Sequence, residues 1–423
     1  MLTVNELFSG IGAPRKALIN AGIDHKIIGI SEIDKFAITS YEAIYGPTRN
    51  YGDISQIDKL DYADLWTYGF PCQDISLSGK QAGITEETRS GLLYQVKRLL
   101  QAAKRCGELP KWLLLENVKN LVGKKFKPDF DAWLEWLDEL GYTTYWAVLN
   151  GKNYGVPQNR ERVIAFSVRK DIDTGDFAFP DPYDSGVRLK DILEEEVPES
   201  FYITGKGFEA IQSAVALDNR ITLKESNELI PVGSCHGIST FESGNRVYSP
   251  EGIAPALLAT TGGRRRPKIL LTTTKRGKEQ TVELPCICAS CGRYVENPQC
   301  RQPGLPTKQQ IEVNINGTSN TLTTVAKDNL VITDEPAIRE LTPLECWRLM
   351  GFADEDFYKA KNAGVSNTQL SKQAGNSIVV PLLEAIFRVA FEKETSQNRA
   401  NYATVGIIER IKNLFTGKRV VTK

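Results

Sequence analysis

The sequence predicts an α/β protein: a doubly wound, mainly parallel sheet followed by a smaller domain of mixed, β-rich character. Short β-rich runs alternate with amphipathic helical patterns over residues 1–178, which is typical of a parallel sheet covered by helices. Glycine, proline, threonine and short alternating runs dominate residues 179–335 and indicate a second domain. A chain of 423 residues with 41% hydrophobic content is long enough to form more than one core.

The strands of the first domain are predicted from runs that are rich in β-branched and aromatic residues. They are expected at residues 2–8, 25–32, 65–69, 112–118, 143–149 and 162–168. The clearest helix between them has apolar residues at the spacing of a single helical face: Leu92, Leu93, Val96, Leu99, Leu100 and Ala103. This alternation of strands and helices predicts a sheet with helices on both faces.

Changes in composition divide the chain into four regions. Residues 1–178 form the first domain, and the run from Phe179 to Asp184 opens the second domain at residues 179–335. In residues 336–395 a helical pattern resumes from Arg339, and this segment is expected to return to the first domain. Residues 396–423 are expected to form an amphipathic helix with a basic, solvated tail.

The bulk charge gives no general attraction to polyanions, because 52 lysines and arginines balance 52 aspartates and glutamates. Affinity for nucleic acid would therefore have to come from local basic patches. The first residues lack the basic and long apolar segments of a signal peptide, and no window is long and apolar enough to span a bilayer. We therefore expect a cytoplasmic protein with no membrane partner.

Four of the eight cysteines form a cluster in the second domain, and the thiols are expected to be reduced in a chain of this size. A Cys-x2-Cys-Gly knuckle is a common half-site for zinc, but the first two cysteines are spaced unusually for tetrahedral ligation. A zinc site and a thiol-rich loop both stay open, and no metal ligand is assigned. The cluster consists of Cys286, Cys288, Cys291 and Cys300.

A glycine turn, with Gly10 and Gly12, follows the first predicted strand, and Glu32 ends the second. In a doubly wound sheet such strand ends bind a nucleoside, with the carboxylate accepting hydrogen bonds from ribose hydroxyls. A purely steric role for the glycines is the alternative. The third glycine of the dinucleotide fingerprint is absent, which favours a ligand without a pyrophosphate.

Cys72 lies in a loop predicted at the carboxyl end of the third strand, between Pro71 and Gln73. A lone cysteine is more often a buried structural thiol, but a proline before it and polar residues after it favour a rigid polar loop. Ligands of doubly wound sheets gather at this edge. The position therefore favours a reactive thiol.

The fourth predicted strand ends in Glu116, and a carboxylate there is costly unless a partner or substrate satisfies it. Arg160 and Arg162 lead into the strand at 162–168, and strand spacing predicts that they point to the same face. A surface strand with alternating charges is the simpler interpretation of the arginines. For Glu116 we favour a functional role.

Taken in this order, the segments resemble the DNA (cytosine-5)-methyltransferase family of bacterial or phage type, from Phe8 to Val380. The resemblance implies a Rossmann-like methyltransferase fold whose second domain is a target recognition domain. It also implies S-adenosyl-L-methionine as cofactor, double-stranded DNA as substrate, a monomeric state and a cognate restriction endonuclease as a candidate partner. Restriction, phage defence and a regulatory mark stay open as the biological context.

The same resemblance assigns the cofactor site to the glycine turn, the ends of the second and third strands, the helix after Arg89 and the segment from Gln373 to Ile378. Phe8 would offer an aromatic face to the sulfonium, and Glu32 would bind the ribose. The implied cofactor residues are Phe8, Gly10, Ile11, Gly12, Glu32, Ile33, Asp53, Ile54, Pro71, Leu92, Asn376 and Ile378.

For catalysis, the resemblance implies that Cys72 attacks carbon 6 of a flipped-out cytosine and that Glu116 binds the ring nitrogen and the exocyclic amine. Arg162, and with it Arg160, would hold the base. DNA contacts are expected from the loop after Cys72 and from the second domain. The implied DNA-binding residues are Gln73, Ser76, Arg264, Arg265, Arg266 and Thr321.

Three other functions stay open. A transfer-RNA cytosine-5 methyltransferase would use the same pocket, although the long segment before Arg339 favours DNA by analogy. A nicotinamide-dependent oxidoreductase would explain the glycine turn and Glu32, but would leave Cys72 and Glu116 unexplained. A catalytically silent DNA-binding regulator would not need either of those two residues.

Overall fold

The computed structural model describes residues 1–71, 89–202, 226–234, 246–257, 268–271, 288–294, 307–313 and 337–391. For several short strands of the second region it describes the backbone alone. The predicted C-terminal helix and basic tail at residues 396–423 lie outside the described residues.

A six-stranded sheet forms the centre of the first region (residues 1–178), in the order β2-β1-β3-β4-β7-β5. Strands β1 to β4 run parallel, and β7 runs antiparallel to both β4 and β5. The predicted strands are confirmed, each end within one residue, and the prediction of a mainly parallel sheet holds with one strand reversed. In chain order, and including the short β6, the strands are β1 (Leu2–Leu7), β2 (His25–Ser31), β3 (Leu65–Tyr68), β4 (Trp112–Val118), β5 (Tyr142–Asn150), β6 (Gln158–Asn159) and β7 (Glu161–Arg169).

Helices connect these strands at α1 (Ala13–Ala21), α2 (Lys35–Tyr45), α3 (Leu93–Arg105) and α4 (Lys127–Leu140). The helix predicted from its apolar spacing is α3, whose residues Leu93, Val96 and Leu100 are buried. Leu92 lies just before α3, in a short 3-10 turn, and is half-buried. Amphipathic spacing was sufficient to find this helix because one face packs on the sheet.

The second region (residues 179–335) is rich in short strands, as predicted. A four-stranded sheet has the order β14-β11-β9-β8, and β12 pairs antiparallel with β13. Short β10 pairs parallel with β6 of the first region. Its strands are β8 (Pro231–Ser234), β9 (Arg246–Tyr248), β10 (Ala254–Pro255), β11 (Lys268–Leu271), β12 (Cys288–Tyr294) and β13 (Thr307–Val313), and β14 (Ala337–Glu340), which completes the four-stranded sheet, comes from the return segment at 336–395.

The helical pattern expected from Arg339 begins later than predicted. Residues up to Glu340 form β14, because they pair with β11 in an antiparallel ladder. The next helix starts at Pro343, where Thr342 caps it and the Glu345 carboxylate accepts from the Thr342 backbone N–H at 2.7 Å. Proline in the first turn and a capping box fix the helix start three residues beyond the strand.

The described residues of the second region share a core with the first. Val187, Leu189 and Tyr248 are buried in the same cluster as Val4 and Leu114 of the central sheet. A change in composition at residue 179 therefore does not coincide with a break in the core. A separate target recognition domain at residues 179–335 stays a prediction.

The return segment contains α5 (Pro343–Leu349), α6 (Asp354–Asn362), α7 (Asn367–Asn376) and α8 (Val380–Phe391). It contacts the first region: Arg388 of α8 donates to the Asn20 carbonyl at 3.1 Å, and the Phe391 ring lies edge-on to Trp112. Among the described residues, only the stretch 367–391 has the length and composition of a membrane span, and 67% of its most apolar window is buried inside the protein.

Candidate active site

The turn after β1 has an unusual backbone. Phe8, Gly10 and Gly12 all have positive φ, at 56°, 54° and 74°. A Cβ atom on Gly12 would lie 2.6 Å from the Tyr41 ring and 2.7 Å from the Tyr45 ring, so only glycine fits there. At Gly10, in contrast, no described atom lies within 4 Å of a Cβ position, so its outer side is open. The turn therefore exposes main chain on one side and packs tightly on the other.

Glu32 and Ile33 lie beside this turn, directly after β2. The Glu32 carboxylate accepts hydrogen bonds from the backbone N–H groups of Gly10 at 2.9 Å, Ile33 at 2.9 Å and Asp34 at 2.8 Å. The Ile33 side chain is 72% exposed, which is unusual for a large aliphatic residue. A fixed carboxylate and an exposed apolar side chain thus flank the open glycine turn.

Four other predicted cofactor residues lie at a 3-10 turn after α2 and at the end of α7 and the turn that follows it. Asp53 caps a 3-10 turn by accepting from the Ser55 backbone N–H at 2.9 Å, and the Ile54 side chain is buried. Asn376 is exposed at the end of α7, and Ile378 is half-buried in the turn before α8. Because the Ile54 side chain is enclosed in the core, this residue can offer a ligand its main chain only.

A buried polar network lies on the side of the glycine turn that faces α2. The Glu6 carboxylate on β1 is fully buried and accepts from the Tyr41 hydroxyl and from the Arg15 backbone N–H. Burial raises the pKa of Glu6 to about 7, although Tyr41 and Arg15 oppose the rise. The Tyr45 hydroxyl donates to the Gly12 carbonyl at 2.8 Å. We did not predict this network; the only sequence signal was the spacing of four residues between the tyrosines of α2, which places both on one helical face.

Glu116 lies near the end of β4, and its side chain is mostly buried. Its Oε1 atom is 3.0 Å from the Nε atom of Arg162 on the neighbouring β7. Burial raises the pKa of Glu116, and the positive charges of Arg162 and then Arg160 offset part of that rise. The carboxyl group therefore takes up a proton more readily than an ordinary glutamate and can act as a hydrogen-bond donor.

The chain that leads to Cys72 is anchored next to Glu116. A Cβ atom on Gly69 would lie 3.5 Å from the Glu116 carboxylate, so the backbone passes close to that group. Asn117 donates to the Phe70 carbonyl at 3.0 Å and holds the chain two residues before the cysteine. Asn117 has no place among the predicted site residues. Cys72, Gln73 and Ser76 lie outside the described residues, while Pro71 is the last described residue before them.

Arg160 and Arg162 have different hydrogen-bond partners. Arg160 is buried, and its guanidinium donates to the carbonyls of Leu257, Gly375 and Ser377. Strand spacing does not extend across this pair because Arg160 lies between the end of β6 and the start of β7. Arg162 forms the ion pair with Glu116, whereas Arg160, whose charge also lowers the pKa of Glu116, connects segments of the chain.

Gln158 contributes to the same connection, although we assigned it no site role of its own. Its Nε2 atom donates to the Leu349 carbonyl at 2.8 Å, and its Oε1 atom accepts from the Leu257 N–H at 3.0 Å. A buried glutamine that bonds to backbone at both ends needs partners far away in the sequence. No local pattern could therefore have indicated its role.

The remaining predictions for the second region cannot be placed. Arg264, Arg265, Arg266 and Thr321 lie outside the described residues, as do Cys286 and Cys300. Cys288 and Cys291 belong to β12, where the backbone alone is described. Within the described part of the chain, no group of three or more potential ligands could hold a metal ion. A zinc site and a thiol-rich loop both remain alternatives for the four cysteines.

Comparison with known proteins identifies the family. Residues 2–392 match the family described as C-5 cytosine-specific DNA methylase. The chain is 34% identical to the orphan methyltransferase M.SPBetaI of Bacillus phage SPbeta, with 92% of this chain and 97% of that protein covered. It is 30% identical to the type II methyltransferase M.HhaI of Haemophilus parahaemolyticus, with coverages of 90% and 91%.

Solved structures share the fold at lower identity. The Spodoptera frugiperda methyltransferase DNMT2 superposes with a TM-score of 0.55 at 16% identity, covering 93% of this chain and all of that one (100%). The Entamoeba histolytica methyltransferase EhMeth gives a TM-score of 0.55 at 14% identity, with coverages of 93% and 98%. The oxidoreductase alternative is left without support. The chain belongs to the C-5 cytosine-specific DNA methylase family and is a DNA (cytosine-5-)-methyltransferase.

Proposed function

We propose that this enzyme transfers a methyl group from S-adenosyl-L-methionine to carbon 5 of a cytosine that is flipped out of double-stranded DNA, through a covalent bond to Cys72. The observation that carries the proposal is the position of Glu116. Its mostly buried carboxyl, with a raised pKa, lies beside Arg162 and against the backbone at Gly69, three residues before Cys72. A proton donor and a thiol are the two groups that activation of cytosine requires.

The residues around the glycine turn fit S-adenosyl-L-methionine. Glu32 is held by three backbone N–H groups, two at Oε1 and one at Oε2, and keeps one acceptor position, on Oε2, for a ribose hydroxyl. The exposed Ile33 side chain offers an apolar surface for adenine, and the open side of Gly10 lets a ligand approach the main chain. When bound, this cofactor supplies an electrophilic methyl group on a sulfonium.

The chain's own residues then activate the base. Carbon 5 of cytosine is a poor nucleophile, so the Cys72 thiolate first forms a sulfur–carbon bond at carbon 6 and pushes an electron pair into the ring. Neutral Glu116 donates a proton to ring nitrogen 3 and prevents negative charge from building up. Carbon 5 can then accept the methyl group. Transfer of the proton from carbon 5 to a water molecule or hydroxide breaks the sulfur–carbon bond and expels the Cys72 thiolate, and the proton on ring nitrogen 3 returns to Glu116.

The substrate must be a base taken out of its stack, because Glu116 is mostly buried at the end of a central strand. Arg162, which pairs with Glu116, is placed to hold that base. We assign reading of the flanking sequence to Gln73, Ser76, Arg264 to Arg266 and Thr321, as the family resemblance implies. A monomer that acts on cellular DNA in the cytoplasm completes the proposal.

The test is transfer of labelled methyl from S-adenosyl-L-methionine to unmethylated duplex DNA, in parallel with transfer RNA and with a Cys72→Ala control. We expect label on DNA, at a fixed sequence that mapping of modified cytosines would reveal, and no transfer by the variant. If only the transfer RNA were labelled, the assignment of DNA as the substrate would be wrong. If folded, cofactor-binding protein transferred label to neither, the silent-regulator alternative would replace the proposal.

A further inference from the structure

Arg160 joins two parts of the protein that are distant in sequence. Its guanidinium donates one hydrogen bond to the Leu257 carbonyl at 2.7 Å, and two others to the carbonyls of Gly375 at 2.9 Å and Ser377 at 2.8 Å. Leu257 belongs to the second region, and residues 375–377 form the last turn of α7 with its C-cap Ser377, just before α8. The buried Arg160 side chain therefore bonds both to the second region and to the end of α7.

In the second region, both the carbonyl and the N–H of Leu257 are hydrogen-bonded by side chains of the first region. Arg160 binds its carbonyl, and the Oε1 atom of Gln158 accepts from its N–H at 3.0 Å. The preceding residues run parallel to β6, with Ala254 paired to Gln158. The segment 254–257 is thus fixed to the strand that leads into Arg162 and the Glu116 pair.

On the other side, the two acceptors flank Asn376. That residue is exposed, while Gly375 and Ser377 are buried around it. Any ligand that orders Asn376 would also order the two carbonyls that the guanidinium binds. Because the guanidinium is planar and its donors have fixed directions, a shift of these carbonyls changes the position available for the bond to Leu257.

We propose that Arg160 is a positioning residue that couples the cofactor site to the second region: ordering of the 375–377 turn by the cofactor is transmitted through Arg160 to Leu257, and so raises the affinity for DNA. The inference rests on the proposed function for the identity of the two ligands. Linkage requires that the effect is reciprocal, so DNA raises the affinity for the cofactor by the same factor.

Hydrogen exchange of the full chain tests the transmission without DNA. On addition of S-adenosylhomocysteine to the wild-type protein, we expect slower amide exchange both at residues 375–378 and at residues 253–257. In Arg160→Lys, which keeps the charge but loses the planar fork, slowing should remain at 375–378 and disappear at 253–257. Slowing at the turn alone in the wild-type protein would overturn the proposal, whether or not the variant folds.

DNA affinity tests the consequence. For a duplex that carries the sequence mapped by methyl transfer, we expect S-adenosylhomocysteine to lower Kd by about 5-fold or more in the wild-type enzyme. In Arg160→Lys, the ratio of the Kd without S-adenosylhomocysteine to the Kd with it should fall close to one. Arg169→Lys is the matched control, because Arg169 lies at the far end of β7, where it bonds Asp171 and the Leu109 carbonyl, and should keep the wild-type factor.

The two proposals fail in different ways. If the enzyme methylates DNA and Arg160→Lys keeps the wild-type coupling factor, the inference about Arg160 is wrong and the proposed function stands. If the wild-type enzyme transfers no methyl to DNA, the proposed function is wrong, and exchange at residues 253–257 still decides whether the turn and the second region are coupled.

Discussion

At the scale of single residues, the site depends on carboxyl groups whose surroundings oppose ionisation. Glu116 and Glu6 both lie inside the central sheet, and burial is the main reason why the pKa of each is raised. Their partners differ: Glu116 faces a cation on the next strand, whereas Glu6 faces a tyrosine hydroxyl and a backbone N–H. The first arrangement suits proton donation to a substrate, and the second suits support of the turn above it.

Glu116→Gln removes the acidic proton and keeps the size of the side chain. We expect kcat to fall by about 100-fold or more, because general acid catalysis is lost, while cofactor affinity stays unchanged. Steady-state methyl transfer and calorimetric titration with S-adenosylhomocysteine would measure the two effects. Glu161→Gln is the control, since Glu161 lies on the adjacent strand and pairs with Lys119 at the surface. Equal losses in both variants would contradict the assigned role.

Glu6→Gln should change how stability depends on pH. The pKa of Glu6 is raised from 4.5 to about 7 in the folded protein, so the native state holds a proton that the unfolded state releases between these values. Wild-type stability therefore falls as pH rises from about 5 to 7, and the variant lacks that loss. The variant should gain up to about 3 kcal/mol relative to wild type by pH 8.

Urea unfolding at several pH values between 5 and 8 would measure this difference. Glu42→Gln, which removes an exposed carboxylate from α2, reports the general effect of losing one negative charge. A difference between Glu6→Gln and wild type that did not change over this range would show that Glu6 is not protonated in the folded protein.

At the scale of elements, the junctions between strands and helices form the site, and the strands themselves provide rigid support. The turn after β1 has three residues with positive φ, and the tyrosines of α2 pack against its inner side. Helix α1 then begins at once, with Pro14 in its first turn, where a missing backbone N–H costs nothing. The shape of the glycine turn is thus set jointly by β1, α1 and α2.

Gly12→Ala should disturb that turn more than the same change at Gly22. Both glycines have φ near 70°, but only at Gly12 would the new methyl group meet ring atoms at 2.6 and 2.7 Å. We expect Gly22→Ala to cost about 1 kcal/mol from backbone strain alone. Gly12→Ala should cost more and should raise KM for the cofactor about 10-fold or more, since displacement of the tyrosines by even a few tenths of an ångström moves the turn.

Thermal unfolding and cofactor titration of both variants would measure these effects. Because Gly22 caps the far end of α1, its variant controls for strain in this helix. Equal cofactor affinity in the two variants would mean that contact between Gly12 and the tyrosines does not determine the shape of the glycine turn.

At the scale of the whole molecule, the chain returns to its start. Helix α8 packs on α1, Gln373 of α7 bonds both the Ser40 hydroxyl and the Phe36 carbonyl of α2, and Lys372 pairs with Asp34 at 2.6 Å. Residues more than 330 positions apart therefore pack against each other. The second region shares a buried core with both ends and is also bonded through Arg160.

Local patterns were sufficient for the strands and for α3, because parallel strands and amphipathic helices have their own periodicity. They could not reveal the role of Arg160, whose acceptors are 97, 215 and 217 residues away. They also missed Glu6, which looks like an outward residue of an alternating strand but is buried because helices cover both faces of the sheet. The order of motifs identified the family, whereas the long-range polar contacts needed coordinates.

Trapping of the covalent bond to Cys72 tests the proposed reaction most directly. In DNA whose target cytosine carries fluorine at carbon 5, no proton can leave that carbon after methyl transfer, so the sulfur–carbon bond should persist. With S-adenosyl-L-methionine present, we expect a denaturation-resistant complex in which the DNA is attached to the peptide that contains Cys72. Cys72→Ala should give none. A wild-type enzyme that methylates ordinary DNA but forms no such complex would contradict the covalent reaction.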